Sequence, residues 1–207
     1  YSLPHFAFEA QAGQVVDVLD ELVQLYGVPY ADSSALPAWL LARETAKHVK
    51  VVLTGDGADE LFAGYRRHVH FSRALVLARL GGGRLMPWIE YLGRYLHDPR
   101  FTRFMRTVKG LCVSPEAGYA ALFAGAYFSR EDELRMLQPG FKEETESYSA
   151  EAWIEAFLGK NEKMIVNDPM RVPLVFDRSS YLIDDLNVKM DRATMAHGLE
   201  ARAPFLD

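Results

Sequence analysis

Lys50-Val51-Val52-Leu53-Thr54-Gly55-Asp56-Gly57-Ala58-Asp59-Glu60-Leu61-Phe62-Ala63-Gly64-Tyr65 runs from a short β-branched apolar stretch through a glycine turn into a helical pattern. Residues 50–54 read as a buried parallel strand, since apolar residues follow one another without polar alternation. Gly55-Asp56-Gly57 makes a tight turn, and Asp59 and Glu60 suit the positive end of a helix starting at Ala58. A strand, a glycine turn and a helix in that order belong to an α/β layer. Ligands of open α/β sheets bind at the carboxyl ends of such strands.

Upstream, residues 13–27 place Val15, Val16, Leu19, Leu22, Val23 and Tyr26 at three-to-four spacing, an amphipathic helix closed by Gly27. A turn-rich segment from Val28 to Ser34 leads to a second helix over roughly 35–48. Downstream, helices are expected at 66–80, 85–96, 99–111, 115–124, 130–137 and 149–159. The separators are Gly81-Gly82-Gly83, Asp98-Pro99, Ser114-Pro115 and Pro139-Gly140. A last helix is expected from about Asp184 to His197, stopped by Gly198. Only one strand is visible, so the expected fold is α/β but helix-dominated, with few strands.

The bulk figures narrow the function classes. A 207-residue chain with 49% hydrophobic, 12% aromatic and 25% charged residues describes an ordinary globular domain rather than a disordered one. A net charge of −5 disfavours nucleic acid as a partner. No apolar run approaches the ~20 residues of a membrane helix, so no membrane partner is expected. The single cysteine, Cys112, rules out an internal disulfide, suits a reducing cytoplasm and reads as a small core side chain. Trp39, Trp88 and Trp153 also read as core residues, and His197 as a packing or capping residue. The chain opens at Tyr1 without an initiating Met and stops at Pro204-Phe205-Leu206-Asp207; it is expected to be a piece of a longer protein.

Two stretches carry chemistry. In the first, glycines let backbone approach a ligand and helix-start amides can donate to anionic oxygen. Asp56, Asp59 and Glu60 would repel phosphate unless a hard cation such as Mg²⁺ lay between, which suggests a metal-bridged phosphate site. The same residues also describe a plain capped helix start, which is the commoner pattern. Neither an EF-hand loop nor a Walker-type loop fits them. In the second stretch, Asp185, Lys189 and Arg192 share a helix face, with Asp184 and Asp191 beside them. Such a cationic pair could bind pyrophosphate, or it could be a solvated face with i,i+4 pairing.

Taken together the two stretches resemble the asparagine synthetase family. Residues 54–65 are similar to its Ser-Gly-Asp-Gly-x-Asp-Glu-Leu-Phe-x-Gly-Tyr signature. Residues 178–207 are similar to its Leu-x-x-Asp-Asp-Leu-Leu-x-Lys-x-Asp-Arg-x-x-Met and Glu-x-Arg-x-Pro-Phe-Leu-Asp. Pro29-Tyr30-Ala31-Asp32-Ser33-Ser34-Ala35-Leu36-Pro37 also looks like the family's segment before its first signature, and the middle, 68–177, is only compatible. Thr54 replaces the usual Ser, Ala58 and Ala63 replace common glycines, Ile183 a frequent Pro and Asn187 a Leu.

The resemblance implies a partial adenine nucleotide alpha hydrolase-like (PP-loop ATP pyrophosphatase) synthetase domain over residues 1–207. The family's Ser-Gly-Gly-x-Asp-Ser pyrophosphate loop and its glutaminase domain are absent from this stretch. It implies ATP and Mg²⁺ as cofactors, and aspartate and glutamine-derived ammonia as the other substrates. The glutaminase domain of the same parent chain is the implied protein partner, and a homodimer is admitted. Catalytic roles fall to Asp56, Lys189 and Arg192, nucleotide binding to Thr54, Gly55, Asp56 and Gly57, and metal binding to Asp59. Glu60, Tyr65, Glu200 and Arg202 divide evenly between site and supporting roles. The alternatives are a relative that amidates another carboxylate or closes a β-lactam ring, and a non-catalytic helical binding module. The isolated fragment is expected to be inactive.

Overall fold

The computed structural model describes residues 5, 7–9, 13–28, 30–82, 84, 98–124, 134–145, 148–165 and 168–207. They fall into two compact units, one discontinuous (Tyr1–Ala58 with Ser180–Asp207) and one continuous (Asp59–Ser179).

The discontinuous unit contains helix α1 (Gly13–Tyr26), helix α2 (Ala35–Thr45), strand β1 (Val51–Leu53) and strand β2 (Glu200–Arg202). Between the strands in sequence runs its share of a long helix, ending in α11 (Val188–Met195). Val18, Leu22 and Tyr26, one turn apart on α1, are buried with Ala35, Trp39 and Leu40 of α2 and Ala193 of α11. That stripe is what makes α1 a helix with one committed face. Gly27 closes it at φ 67, in the left-handed region that glycine enters without strain.

β1 and β2 pair in parallel, Val51 opposite Glu200 and Leu53 opposite Arg202. Glu200 N donates to Lys50 O at 2.9 Å and Thr54 N to Arg202 O at 2.8 Å. Here two sequence expectations are corrected. The lone strand has a partner, in a segment whose charged residues hid it. The strand is also not buried, since Val51 and Leu53 are 43% and 75% exposed.

The continuous unit is helical: α3 (Ala58–Phe62) enters it, followed by α4 (Arg66–Leu77), α5 (Pro99–Leu111), α6 (Pro115–Ala124), α7 (Pro139–Thr145), α8 (Ala150–Lys160), α9 (Glu162–Ile165) and α10 (Arg171–Phe176). Starts are chemically marked. The Asp98 carboxylate accepts from Arg100 N at 2.8 Å and the Ser149 hydroxyl from Ala152 N at 3.0 Å. Gly110 and Gly118 let α5 and α6 meet backbone to backbone, for a Cβ at Gly110 would lie 2.6 Å from Ala117 O. An aromatic cluster of Phe71, Tyr119, Phe123 and Phe176 fills the middle.

Further expectations are corrected in this unit. Pro139-Gly140 opens α7 instead of separating helices, because proline is well suited to a helix's first position. The last helix starts at Arg171, well before Asp184, and passes through a π-helical stretch over Asp177–Asn187 before α11. Cys112 is exposed at the end of α5, and Trp153 is 45% exposed. The helix expected at 85–96, the first half of the one at 130–137, and Trp88 lie outside the described residues. Among the described residues no helix is long and apolar enough to cross a membrane.

Candidate functional site

The turn after β1 has a definite shape. Gly57 sits at φ 88 with Leu206 packed where its side chain would be, so a Cβ there would overlap that leucine. Only glycine meets both demands. A Cβ at Gly55, by contrast, would meet nothing within 4 Å. The Thr54 hydroxyl is buried with no hydrogen-bond partner among the described residues, an unsatisfied group at the strand's end. Asp56 is half-buried, and no hydrogen bond or ion pair is seen for its carboxylate among those residues. The turn thus presents open space, an orphaned hydroxyl and a carboxylate at one strand end. That combination is compatible with a bound nucleotide.

Beyond the turn, Asp59 is exposed on α3. Its main-chain oxygen accepts from Gly64 N at 3.0 Å, and its carboxylate lies where a Cβ on Gly64 would go. Ala63 takes φ 60, the left-handed conformation expected of the glycine usual there. Ala58 opens the helix in an ordinary conformation. Among the described residues no group of three or more His, Cys, Asp or Glu could hold a metal ion. A single carboxylate such as Asp59 still fits Mg²⁺, which keeps several waters and takes phosphate oxygens as ligands.

Lys189 and Arg192 both lie on α11, and their partners are not the acids of the turn. Lys189 is 8% exposed; its Nζ donates to Asp32 Oδ2 at 2.7 Å and to the Ser34 hydroxyl at 2.7 Å. Ser34 in turn donates from its main-chain N and its hydroxyl to Asp32 Oδ1, at 2.8 and 2.7 Å. Burial alone would raise the Asp32 pKa, but the bonds from Lys189 and Ser34 outweigh it and hold the carboxyl below its usual value. An ammonium has three donors, and the third has no partner among the described residues. Arg192 Nη1 donates to the carbonyls of Leu25, at 2.7 Å, and Tyr26, where helix α1 ends and its dipole is negative.

Beside them Tyr30 donates to both the carbonyl and the carboxylate of Asp185 and stacks on Tyr26, ring centroids 4.2 Å apart. Burial first, and then Asp185, push the Tyr30 hydroxyl far above its ordinary pKa. Tyr30, Asp32 and Ser34 are the residues that sequence reasoning did not single out. The available signal was the polar turn before α2, placed just ahead of the first signature. His197 packs edge-on against Trp39 at 4.6 Å, in keeping with a packing role. Glu200 and Arg202 pair with one another at 2.8 Å on the exposed face of β2.

The sequence profile of the family described as Asparagine synthase matches residues 1–207. A Mycobacterium tuberculosis (strain H37Rv) protein, provisionally named asparagine synthetase (glutamine-hydrolyzing), is 32% identical over 98% of this chain and 29% of its own length. Asparagine synthetase (glutamine-hydrolyzing) 1 of Bacillus subtilis (strain 168) is 27% identical over 94% of this chain and 29% of its own length. The chain therefore spans under a third of these relatives. No solved structure matches it.

Proposed function

Because the chain belongs to the asparagine synthase family, we propose that it is the ATP-dependent, amide-forming part of a glutamine-hydrolysing asparagine synthetase, with a PP-loop-type nucleotide layer. In the proposed reaction the side-chain carboxylate of aspartate attacks the α-phosphorus of ATP, and pyrophosphate leaves. Ammonia from glutamine then attacks the activated carbonyl, AMP departs and the amide of asparagine remains. Mg²⁺ would neutralise charge on the leaving pyrophosphate.

This chain's own residues supply charge and position. Lys189 directs its uncommitted donor at phosphoryl oxygen, where positive charge counts most as the leaving group separates. Asp32 and Ser34 hold the ammonium in place. Arg192 anchors α11 to the end of α1, leaving its Nε and Nη2 donors for anionic oxygen. Thr54, Gly55, Asp56 and Gly57 receive the nucleotide at the strand end, and Asp59 gives Mg²⁺ a carboxylate. The observation that carries the proposal is Lys189, a nearly buried cation fixed by two groups with one donor to spare.

The test uses the whole protein that contains this chain, with ATP, Mg²⁺, aspartate and either glutamine or ammonia. The expected result is aspartate-dependent AMP formation that falls about 100-fold in Lys189→Ala. AMP formation at the wild-type rate in that variant would remove Lys189 from the chemistry. AMP formed only with another carboxylate would move the assignment to a relative with a different acceptor, including β-lactam formation. No ATP turnover at all would leave a non-catalytic binding module.

A further inference from the structure

Asp177 is wholly buried at the start of the π-helical stretch, yet none of the proposed chemistry uses it. Four donors converge on its carboxylate. Arg67 Nε and Nη2 reach Oδ2 at 3.0 and 2.8 Å, His68 Nε2 reaches Oδ2 at 2.7 Å, and the Tyr119 hydroxyl reaches Oδ1 at 2.5 Å. Burial opposes the Arg67 charge, but Asp177 more than offsets it and raises the pKa; burial and Asp177 together raise that of Tyr119. A carboxylate satisfied so fully is a fixed post, since the buried His68 and Tyr119 would lose their shared partner if it moved.

The post is connected to the signature. The Arg67 guanidinium lies 3.7 Å from the centroid of the Tyr65 ring, with Phe123 at 5.4 Å and His68 edge-on to Tyr65 at 5.5 Å. The Tyr65 hydroxyl donates to Glu60, which is 2% exposed on α3 next to Asp59. Every step from Asp177 to Glu60 lies within the continuous unit. We propose that Asp177, through Arg67 and Tyr65, is the positioning group that fixes Glu60 and thereby the direction in which Asp59 presents its carboxylate to Mg²⁺. The role assigned to Asp59 rests on the function proposed above; the ordering of residues 59–65 by Asp177 does not. Groups that orient a metal ligand from behind are commonly worth 10- to 100-fold in metal affinity or activity.

The experiment compares the whole protein with Tyr65→Phe, Arg67→Lys, Asp177→Asn and the Tyr65→Phe/Asp177→Asn pair. Hydrogen exchange without nucleotide is read at residues 59–65 and at 51–54, and the Mg²⁺ concentration for half-maximal AMP formation is read alongside. Expected are exchange at 59–65 faster by about tenfold with 51–54 unchanged, and a Mg²⁺ midpoint raised about tenfold. In the double variant the two effects should be less than multiplicative, because both cut one chain of contacts. If Asp177→Asn does not fold, Tyr65→Phe and Arg67→Lys carry the test. Unchanged exchange at 59–65, or loosening shared equally by 51–54, would overturn the proposal and leave an ordinary core ion pair. Should wild type make no AMP, the proposed function fails, while the exchange measurement still decides whether Asp177 orders the signature.

Discussion

Asp177 in the continuous unit and Asp32 in the discontinuous one each hold a cation from a distant part of the chain, but they leave that cation in different states. Asp177 is sealed: it is fully buried and takes four hydrogen bonds. Asp32 and its Lys189 are 16% and 10% exposed at the side chain, and the ammonium keeps one donor without a partner among the described residues. A saturated buried charge contributes rigidity, and an unsaturated one contributes something to bind. The comparison therefore sets Asp177 apart as scaffold from Lys189, the cation that the proposed site would use.

The sharpest way to break it is at the sealed pair. Asp177→Ala leaves the buried His68 ring and Tyr119 hydroxyl without the carboxylate they share with Arg67 and should cost about 3–5 kcal/mol in urea unfolding. Lys189→Ala should cost less stability, about 2 kcal/mol, because water can reach the Asp32 carboxylate left behind. If both variants lose the same stability, the distinction between scaffold and site fails.

Asp32 gives the contrast a pH dependence. Its folded pKa lies below the ordinary aspartate value of 3.8. Its contribution is therefore complete above that value and lost as the pH falls through the lower, folded one. Urea midpoints measured from about pH 5 to pH 2 should fall less steeply in Asp32→Asn than in wild type. A smaller effect is expected at Ala63, whose φ of 60 is unfavourable for an L-residue. Ala63→Gly should raise stability by about 0.5 kcal/mol, the relieved strain slightly exceeding the added chain entropy. The smallest belongs to His197. Burial, with the nearby charge of Arg43, lowers its pKa against an opposing pull from Glu21. Folding then favours the neutral ring, and stability should slip as pH drops below about 6.5, with His197→Gln removing that slope.

Much of the discontinuous unit was legible because its rules are local. The Val18, Leu22 and Tyr26 stripe, the stop at Gly27 and the turn at Gly55-Asp56-Gly57 each follow from spacing or backbone preference over a few residues. β2 was not legible. Two of its three residues are charged, and it is a strand only because Lys50 and Thr54 hold its backbone. Lys189 was picked out as a cation, but its fixing partner lies 157 residues away, and no periodicity reaches that far. The Asp177 cluster was invisible for the same reason: Arg67, His68, Tyr119 and Asp177 form no pattern until α4, α6 and the π-helical stretch pack together. Exposure was the least legible property. Trp153 and Cys112 have residue types usually found inside, and both face solvent.

The parallel pairing of β1 with β2 also has a kinetic side. Its two strands leave the ribosome with the whole of the continuous unit between them, so the ladder cannot zip until that unit and Glu200–Arg202 have been made. Late, non-local closure of this kind is slow compared with helix packing. The helical unit is therefore expected to mature first, while Val51 and Leu53 wait unpaired, and that interval is when the nascent chain is most open to mispairing with a second strand edge.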